Sequence, residues 1–270
     1  MPDRIQRSEG RGLFGLDPDV YDAARPQYPE EIYTFLTDHG ALGPNTATLE
    51  IGAGNGLATH RLLALGANPL TLVEPEPRFA PMLRELCASS QAECRLIEQP
   101  FEDADCGRQA YDLVAAATSF HWIEPARGLS KIASVLRPHG FIALWWHVFQ
   151  DLDRDDPFHD ATQAILADLA ISPSNPPGEI PYALDKHARI RDLTDAGRFE
   201  SIRYFETRWT LVLTPEEVGG LYLTYAHIQR LPAAMRSRVI EALMEVAQTR
   251  FGGAVERNMT APVYLAQRSR

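Results

Sequence analysis

The stretch LEIGAGNGLATHRLL (49–63) sets Gly52, Gly54 and Gly56 between an apolar run and a helical pattern. Glycine removes the Cβ where a backbone must turn tightly or come close to a bound molecule. A strand that runs into G-x-G-x-G and then a helix is a ligand loop, or else a tight turn of any doubly wound protein, and the motif alone is weak. Glu74 sharpens the choice: it ends the next apolar run, 18 positions after Gly56. A carboxylate there can accept hydrogen bonds from both hydroxyls of a ribose, which points to an adenosine-type ligand at the carboxyl edge of a parallel sheet. A dinucleotide loop, G-x-G-x-x-G, spaces its last glycine so that a helix N-terminus meets a pyrophosphate. Here the third glycine comes one residue early and Leu57 holds that place. A ligand without a phosphate fits better.

The pattern on either side repeats. TLEI (48–51), LTLVE (70–74), CRLIE (94–98), YDLVAAAT (111–118) and FIALWW (141–146) read as strands. The fourth is almost wholly apolar, as central parallel strands are. Helical patterns fill 57–65, 77–89 and 125–136. Pro29, Glu30 and Glu31 suit the first turn of an earlier helix, with Gly40 as its C-cap. This alternation predicts an α/β fold, a doubly wound and mostly parallel sheet with helices on both faces. After Trp146 the rhythm breaks. Residues 151–170 turn acidic and then helical, 172–181 is a proline-rich loop, and 198–213 alternates like a long edge strand. Helical patterns follow at 214–231 and 232–250, and 256–268 can close as a last strand. The expected division is a loose arm at 1–20, a cofactor-binding core at 21–147, and cap helices with the last two strands at 148–270.

Charge and cysteines exclude other classes. The net charge is −10 without a basic run, a poor match for nucleic acid or an anionic membrane surface. The N-terminus, MPDRIQRSEGRGLFG, lacks the apolar core of a signal peptide, and no apolar run reaches the length of a membrane span. Cys87, Cys94 and Cys106 form neither a C-x-x-C pair nor a disulfide-scaffold pattern. Reduced thiols, a cytoplasmic setting and no bound metal are expected.

LEIGAGNG followed by LVEPEP resembles the class I S-adenosylmethionine-dependent methyltransferases. FEDADCGRQAYDLVAAATSFHWIEP (101–125) is similar to their segment around the fourth strand. LSKIASVLRPHGFIAL (129–144) is similar to their helix and L-R/K-P-x-G turn before the fifth. YDAARPQYP (21–29) resembles the N-terminal signature of the small-molecule branch that includes trans-aconitate methyltransferase. The likeness covers about residues 20–147, and the tail matches only in layout. It implies a seven-stranded sheet with the last strand inserted antiparallel, strands six and seven being 200–211 and 256–268. It implies S-adenosyl-L-methionine as cofactor. Backbone at Gly52, Ala53 and Gly54 would face the methionine part and Glu74 the ribose, with Pro75 beside the adenine. Phe101 and Glu102 would meet the adenine, although EQPFED lacks the small residues often found before that acid, so Phe101 either stacks or simply packs. Thr118 would lie under the methionine part. Tyr21 and Arg25 would close the site, Arg25 on the methionine carboxylate.

Methyl transfer from a sulfonium is an in-line displacement of an already activated group, so positioning and exclusion of water supply most of the catalysis. A base is needed only when the acceptor loses a proton, and a carboxylate loses none. His121 in TSFHWIEP is the base candidate, since imidazole titrates near neutrality. The alternative is a histidine bonded within its own loop that holds Trp122. Alternation along the fifth strand sends Trp145 and His147 to one side and Trp146 to the other. At least one tryptophan is then core. Trp122, Trp145 and His147 are the candidates for lining a substrate pocket. In GGLYLTYAHIQRL, helical spacing puts Leu221, Tyr225 and Ile228 on one face and Leu223, His227 and Arg230 on another. The segment is either an amphipathic helix over the sheet or a substrate lid. In a lid, Tyr222, Tyr225, His227 and Arg230 would meet the substrate, Arg230 anchoring an acidic group. The acidic run Asp151–Asp156 is too irregular for a calcium loop.

The expected protein methylates a small molecule, as a monomer or homodimer. O-methylation of a carboxylate or hydroxyl leads, with N- or C-methylation open. A nicotinamide-dependent oxidoreductase is the alternative enzyme, against which the early third glycine and the RPHG turn speak. A non-catalytic cofactor-binding module is the third reading, opposed by the aromatic and histidine residues. The lack of a basic patch speaks against a nucleic-acid substrate.

Overall fold

The computed structural model describes residues 3–13, 16–175 and 178–270. Met1, Pro2, Phe14 and Gly15 of the expected arm, with Pro176 and Pro177 of the proline-rich loop, lie outside the described residues. The chain forms α1 (Arg7–Arg11), α2 (Pro18–Ala24), α3 (Glu30–Asp38), β1 (Thr46–Ile51), α4 (Leu57–Ala64), β2 (Ala67–Val73), α5 (Ala80–Ser89) and β3 (Cys94–Ile97). Then come β4 (Tyr111–Ala117), α6 (Pro125–Val135), β5 (Leu136–Trp145), α7 (Pro157–Leu166), α8 (Lys186–Asp195) and β6 (Phe199–Leu213). The last elements are α9 (Pro215–Leu223), α10 (Ala226–Gln229), α11 (Ala233–Arg250) and β7 (Val255–Arg268). Contacts gather these residues into two compact units. A sheet unit takes 27–147, 182–207 and 261–270, and a helical unit takes 1–26, 148–181 and 208–260.

The sheet has seven strands in the order β3-β2-β1-β4-β5-β7-β6. The chain steps outward from β1 to β3, then returns to the other side of β1 for β4 and β5. These five strands pair in parallel, and β7 lies antiparallel to β5, with Trp145 opposite Val263. This is the doubly wound sheet with an inserted antiparallel strand that the sequence predicts. Leu113, Val114, Ala115 and Ala116 are wholly buried, because a central parallel strand is covered on both faces. Strand order reverses between β1 and β4, and such a switch point parts the loops at the strands' carboxyl ends.

The helical unit has its own apolar core of Phe158, Leu213, Val218, Leu221, Tyr222, Ile228, Ile240, Leu243, Ala247 and Val255. Arg257 is buried beside that core, 3% exposed. Its Nε donates to Asp156 Oδ2 at 3.1 Å, its Nη1 to the Tyr222 hydroxyl at 3.1 Å and its Nη2 to the Phe149 carbonyl at 3.0 Å. A charge can stay buried only with partners of this kind.

Four expectations need correction. The expected loose arm contains α1 and the start of α2, Ile5 N donates to Ile171 O at 2.9 Å, and Asp17 caps α2 through Val20 N at 3.1 Å. The helical stretch 214–231 is broken. The Thr224 hydroxyl donates to the Leu221 carbonyl at 2.6 Å and Tyr225 is extended, so α9 and α10 are separate helices. Leu221, Tyr225 and Ile228 are thus not one helical stripe. Cys87 and Cys94 form a disulfide, with Cα atoms 5.3 Å apart, because the turn between α5 and β3 brings them together; Cys106 is free and buried. Residues 182–207, with α8, group with the sheet unit and not with the cap helices. Among the described residues no helix is long and apolar enough to cross a membrane.

Replacing Arg257 by alanine leaves Asp156 buried without its countercharge. Arg257→Ala is expected to destabilise the protein by about 3–5 kcal/mol, read as a lower urea midpoint. A change below about 1 kcal/mol would show that the buried pair contributes nothing net.

Candidate active site

The three glycines of the β1–α4 loop differ in what demands them. Gly52 has φ +70°, and a Cβ there would lie 2.5 Å from the Ser119 Cβ. Gly56 has φ +86°, and its Cβ would lie 2.8 Å from Leu86 Cδ1 on α5. Both are bare because the protein's own side chains fill the space. Gly54, at φ +57°, meets nothing within 4 Å. It is the one of the three whose missing side chain leaves room for a ligand. Its N–H donates to Glu74 Oε2 at 2.8 Å, and Glu76 N–H donates to Glu74 Oε1 at 2.8 Å. Two backbone amides thus aim a carboxylate that is only 6% exposed.

Thr118 follows β4 with φ +50°, costly for a β-branched residue. Three bonds hold it there. Its N–H donates to the Trp145 carbonyl at 2.7 Å, its hydroxyl accepts from His147 N–H at 3.1 Å, and the same hydroxyl bonds the Tyr28 phenol at 2.7 Å. Tyr28 stacks on His147 with ring centres 4.1 Å apart.

The glycine loop, the anchored acid and the strained residue after β4 lie in a segment that also matches known proteins. Residues 49–144 match the family model of a methyltransferase domain. The chain carries a class I S-adenosylmethionine-dependent methyltransferase domain. A Schizosaccharomyces pombe protein described as an uncharacterized methyltransferase-like protein is 28% identical over 87% of this chain and 86% of its own. Haemonchus contortus phosphoethanolamine N-methyltransferase 2, solved with phosphomonomethylethanolamine and S-adenosylhomocysteine, has a similar fold, with a TM-score of 0.62 at 11% identity over 98% of this chain and 61% of that one. The (4+2)-cyclase SpnF has a TM-score of 0.60 at 12% identity, covering 100% and 98%.

In the methyltransferase's sheet unit, the remaining candidates fall into two groups. Glu102 is half-exposed, its carbonyl bonded by Lys131 Nζ at 3.2 Å. Pro75 is half-buried next to Glu74. Phe101 is 2% exposed, with Lys131 Nζ 5.1 Å above its ring. Of its two expected roles, it has the packing one. Trp145 has no exposed surface and meets Tyr28 and Tyr33 edge-on, so it is core and not a pocket wall. Trp122 is 5% exposed and tilts against His121. The Trp146 indole N–H donates to His121 Nδ1 at 3.1 Å, and both residues are buried. An Nδ1 that accepts a bond holds no proton, so the neutral ring carries its hydrogen on Nε2. Taking a second proton would displace the indole donor. The geometry therefore speaks against His121 as general base, and the bond it shows runs to Trp146 after β5 rather than within the loop of His121.

In the helical unit, Arg25 lies among three rings, 5.1 Å from the centre of Tyr21, 5.4 Å from Tyr225 and 5.7 Å from Phe149. Its Nη2 makes a long 3.4 Å bond to the Thr224 carbonyl, and its buried Nε has no partner among the described residues. Tyr222 is not a lid residue, being 2% exposed with its hydroxyl bonded by Arg257. Arg230 is not an open anchor, because Asp3 and Glu9 each bind it at 2.7 Å.

Two residues were missed. Tyr28 stands in the quoted YDAARPQYP signature, but its partner Thr118 is 90 positions away. Glu50, a lone acid inside the apolar run TLEI, is 1% exposed. Its Oε2 accepts from the Thr59 hydroxyl at 2.6 Å, and Oε1 has no partner among the described residues. Burial pushes the Glu50 carboxyl up to about 8; the charge of Glu74 adds to this and the Thr59 bond opposes it.

Gly52→Ala is expected to lower stability by about 2–5 kcal/mol, from backbone strain and the clash with Ser119. Gly54→Ala adds only the strain of about 1–2 kcal/mol but should weaken S-adenosylhomocysteine at least tenfold; urea unfolding and calorimetry separate the two. Glu50 sets a pH slope. Between the ordinary 4.5 and about 8, the folded protein keeps a proton that the unfolded chain releases, so stability falls as pH rises through that window and levels off above it. The loss between pH 5 and pH 8 should be about 1–4 kcal/mol smaller in Glu50→Gln than in wild type, and equal losses would show that Glu50 is charged when folded.

Proposed function

We propose that this methyltransferase acts on a small molecule, with transfer to a carboxylate oxygen leading and transfer to a hydroxyl next. The observation that carries the reading is the open Gly54 bonded to an acid that two amides hold in place. S-adenosylmethionine, when bound, supplies a methyl group already activated on a sulfonium. Glu74 would accept from its ribose hydroxyls, and Glu102 from the adenine amine, with Pro75 alongside. Backbone at Gly52, Ala53 and Gly54, with Thr118, would face the methionine part. A Cβ-free cradle and a fixed carboxylate suit a neutral ribose and a ligand without phosphate.

The side chains favour positioning over proton transfer. A carboxylate becomes an ester without losing a proton, so the chain needs no base for it. That agrees with an His121 whose Nδ1 is already bonded. In the helical unit, Arg25 is suited to a carboxylate group, held by ring faces and with a donor to spare. The net charge of −10 favours a small substrate over nucleic acid, and the YDAARPQYP signature supports the small-molecule branch.

Calorimetry with S-adenosylmethionine, S-adenosylhomocysteine and NADH tests the site directly. Micromolar binding of the sulfur ligands is expected, weakened about tenfold or more (roughly 1.4 kcal/mol) in Glu74→Ala. Binding of NADH alone would overturn the reading.

A further inference from the structure

Tyr28 directly precedes Pro29, the N-cap of α3. A residue before proline favours extended backbone, and this connector carries the Tyr28 ring onto the end of β5. There it meets Trp145 edge-on at 6.1 Å and stacks on His147 with ring centres 4.1 Å apart. The buried ring is thus held on two sides, and its hydroxyl lies 2.7 Å from the Thr118 hydroxyl. Thr118 joins β4 to the loop that follows, with a φ of +50° that a β-branched residue rarely takes. Ser119 comes next. Its Cβ lies 2.5 Å from where a Cβ on Gly52 would stand, and its hydroxyl donates to the Ile51 carbonyl. Two positions beyond Gly52, Gly54 N–H donates to Glu74 Oε2 at 2.8 Å. Within the sheet unit, a line of contacts therefore runs from Tyr28 through Thr118 and Ser119 into the glycine loop.

We propose that Tyr28 is a positioning residue for the cofactor: its phenol keeps Thr118 in the left-handed conformation that seats Ser119 against Gly52, and so sets the glycine loop for S-adenosylmethionine. This rests on the methyltransferase reading of that loop. A strained backbone persists only while its surroundings over-determine it. Thr118 has three restraints: its N–H on the Trp145 carbonyl, its hydroxyl accepting from His147 N–H, and its bond to Tyr28. The first two come from β5 and the residues just after it, beside β4 in the same sheet. Of the three, Tyr28 alone ties Thr118 to a segment outside those strands. Relaxation of Thr118 toward an ordinary φ would move Ser119 relative to Gly52, and the loop would lose the contact that fixes its start. Phenylalanine at position 28 keeps the ring and its stacking, so Tyr28→Phe isolates the hydroxyl bond.

Calorimetry well below the unfolding midpoint should show S-adenosylhomocysteine bound at least about threefold more weakly by Tyr28→Phe than by wild type. Thr118→Ala should weaken it at least as much. The double variant should then bind within about twofold of Thr118→Ala, because Tyr28 acts through that hydroxyl. A smaller loss in Tyr28→Phe, or single losses that multiply in the double variant, would overturn the proposal. Hydrogen exchange without ligand gives a second readout. In Tyr28→Phe, the Gly54 N–H should speed up at least about threefold more than the amides of Leu113 and Val114 in central β4, which report general stability. An equal change at all three amides would mark a merely structural role and overturn the proposal. If Tyr28→Phe does not fold, Thr118→Ser keeps the hydroxyl and should bind at least about threefold more tightly than Thr118→Ala; equal affinities overturn the proposal. Failure of the wild type to bind S-adenosylhomocysteine would sink the methyltransferase reading, while Gly54 exchange would still judge the line of contacts, so the two failures are distinguishable.

Discussion

The approach of Ser119 to Gly52 is the contact on which the site depends. β1 and β4 are adjacent and parallel, so the loops that leave their carboxyl ends start side by side. A Cβ at residue 52 would lie 2.5 Å from the Ser119 Cβ, so the two loops could not meet as they do. With glycine there, the Ser119 hydroxyl bonds the Ile51 carbonyl and the β4 loop is pinned to the end of β1. Pinning has a local cost, since Thr118 must take a left-handed backbone. Its bonds to Trp145, His147 and Tyr28 offset that strain. A strained residue held by several partners is a common way to aim a side chain at a ligand.

Charge is arranged on the same logic. Glu50 and Glu74 end neighbouring strands, yet their surroundings differ. Glu50 receives one hydroxyl bond and no solvent, and it keeps its proton at neutral pH. Glu74 receives two amide bonds, which suit a carboxylate that must accept from a ribose. Keeping Glu50 neutral spares the site a second negative charge beside the first. The helical unit solves the opposite problem for Arg257, where a buried cation is matched by Asp156, a phenol and a carbonyl.

Periodicity made most of the fold legible. Buried parallel strands are apolar runs and half-buried ones alternate, so β1 to β5 and the long β6 and β7 could be read before any contact was known. What escaped is tertiary. The break after Thr224 lies where the Tyr225 backbone turns extended, and threonine and tyrosine do not announce a helix end. Arg230 finds Asp3 at a separation of 227 residues, which no local pattern marks. Tyr222 shows the limit of helical faces, since a core face and a lid face look alike in sequence. Alternation sends Trp145 and Trp146 to opposite sides, yet both are buried, because Tyr28 and Tyr33 pack on Trp145 and Tyr182 and Tyr264 pack on Trp146. Glu50 was visible as an acid in an apolar run but needed its burial to be understood.

Fold alone does not choose the reaction. An N-methyltransferase and a (4+2)-cyclase share this architecture at 11% and 12% identity, so the chemistry has to be read from side chains. Here they say little about proton transfer and much about position. The donor's methyl group needs no activation, and in-line attack depends on distance and angle, where a well-oriented pair can contribute on the order of 7–11 kcal/mol relative to free reactants. A histidine used as base must take up a proton on an open lone pair, and the His121 Nδ1 lone pair already accepts from the Trp146 indole.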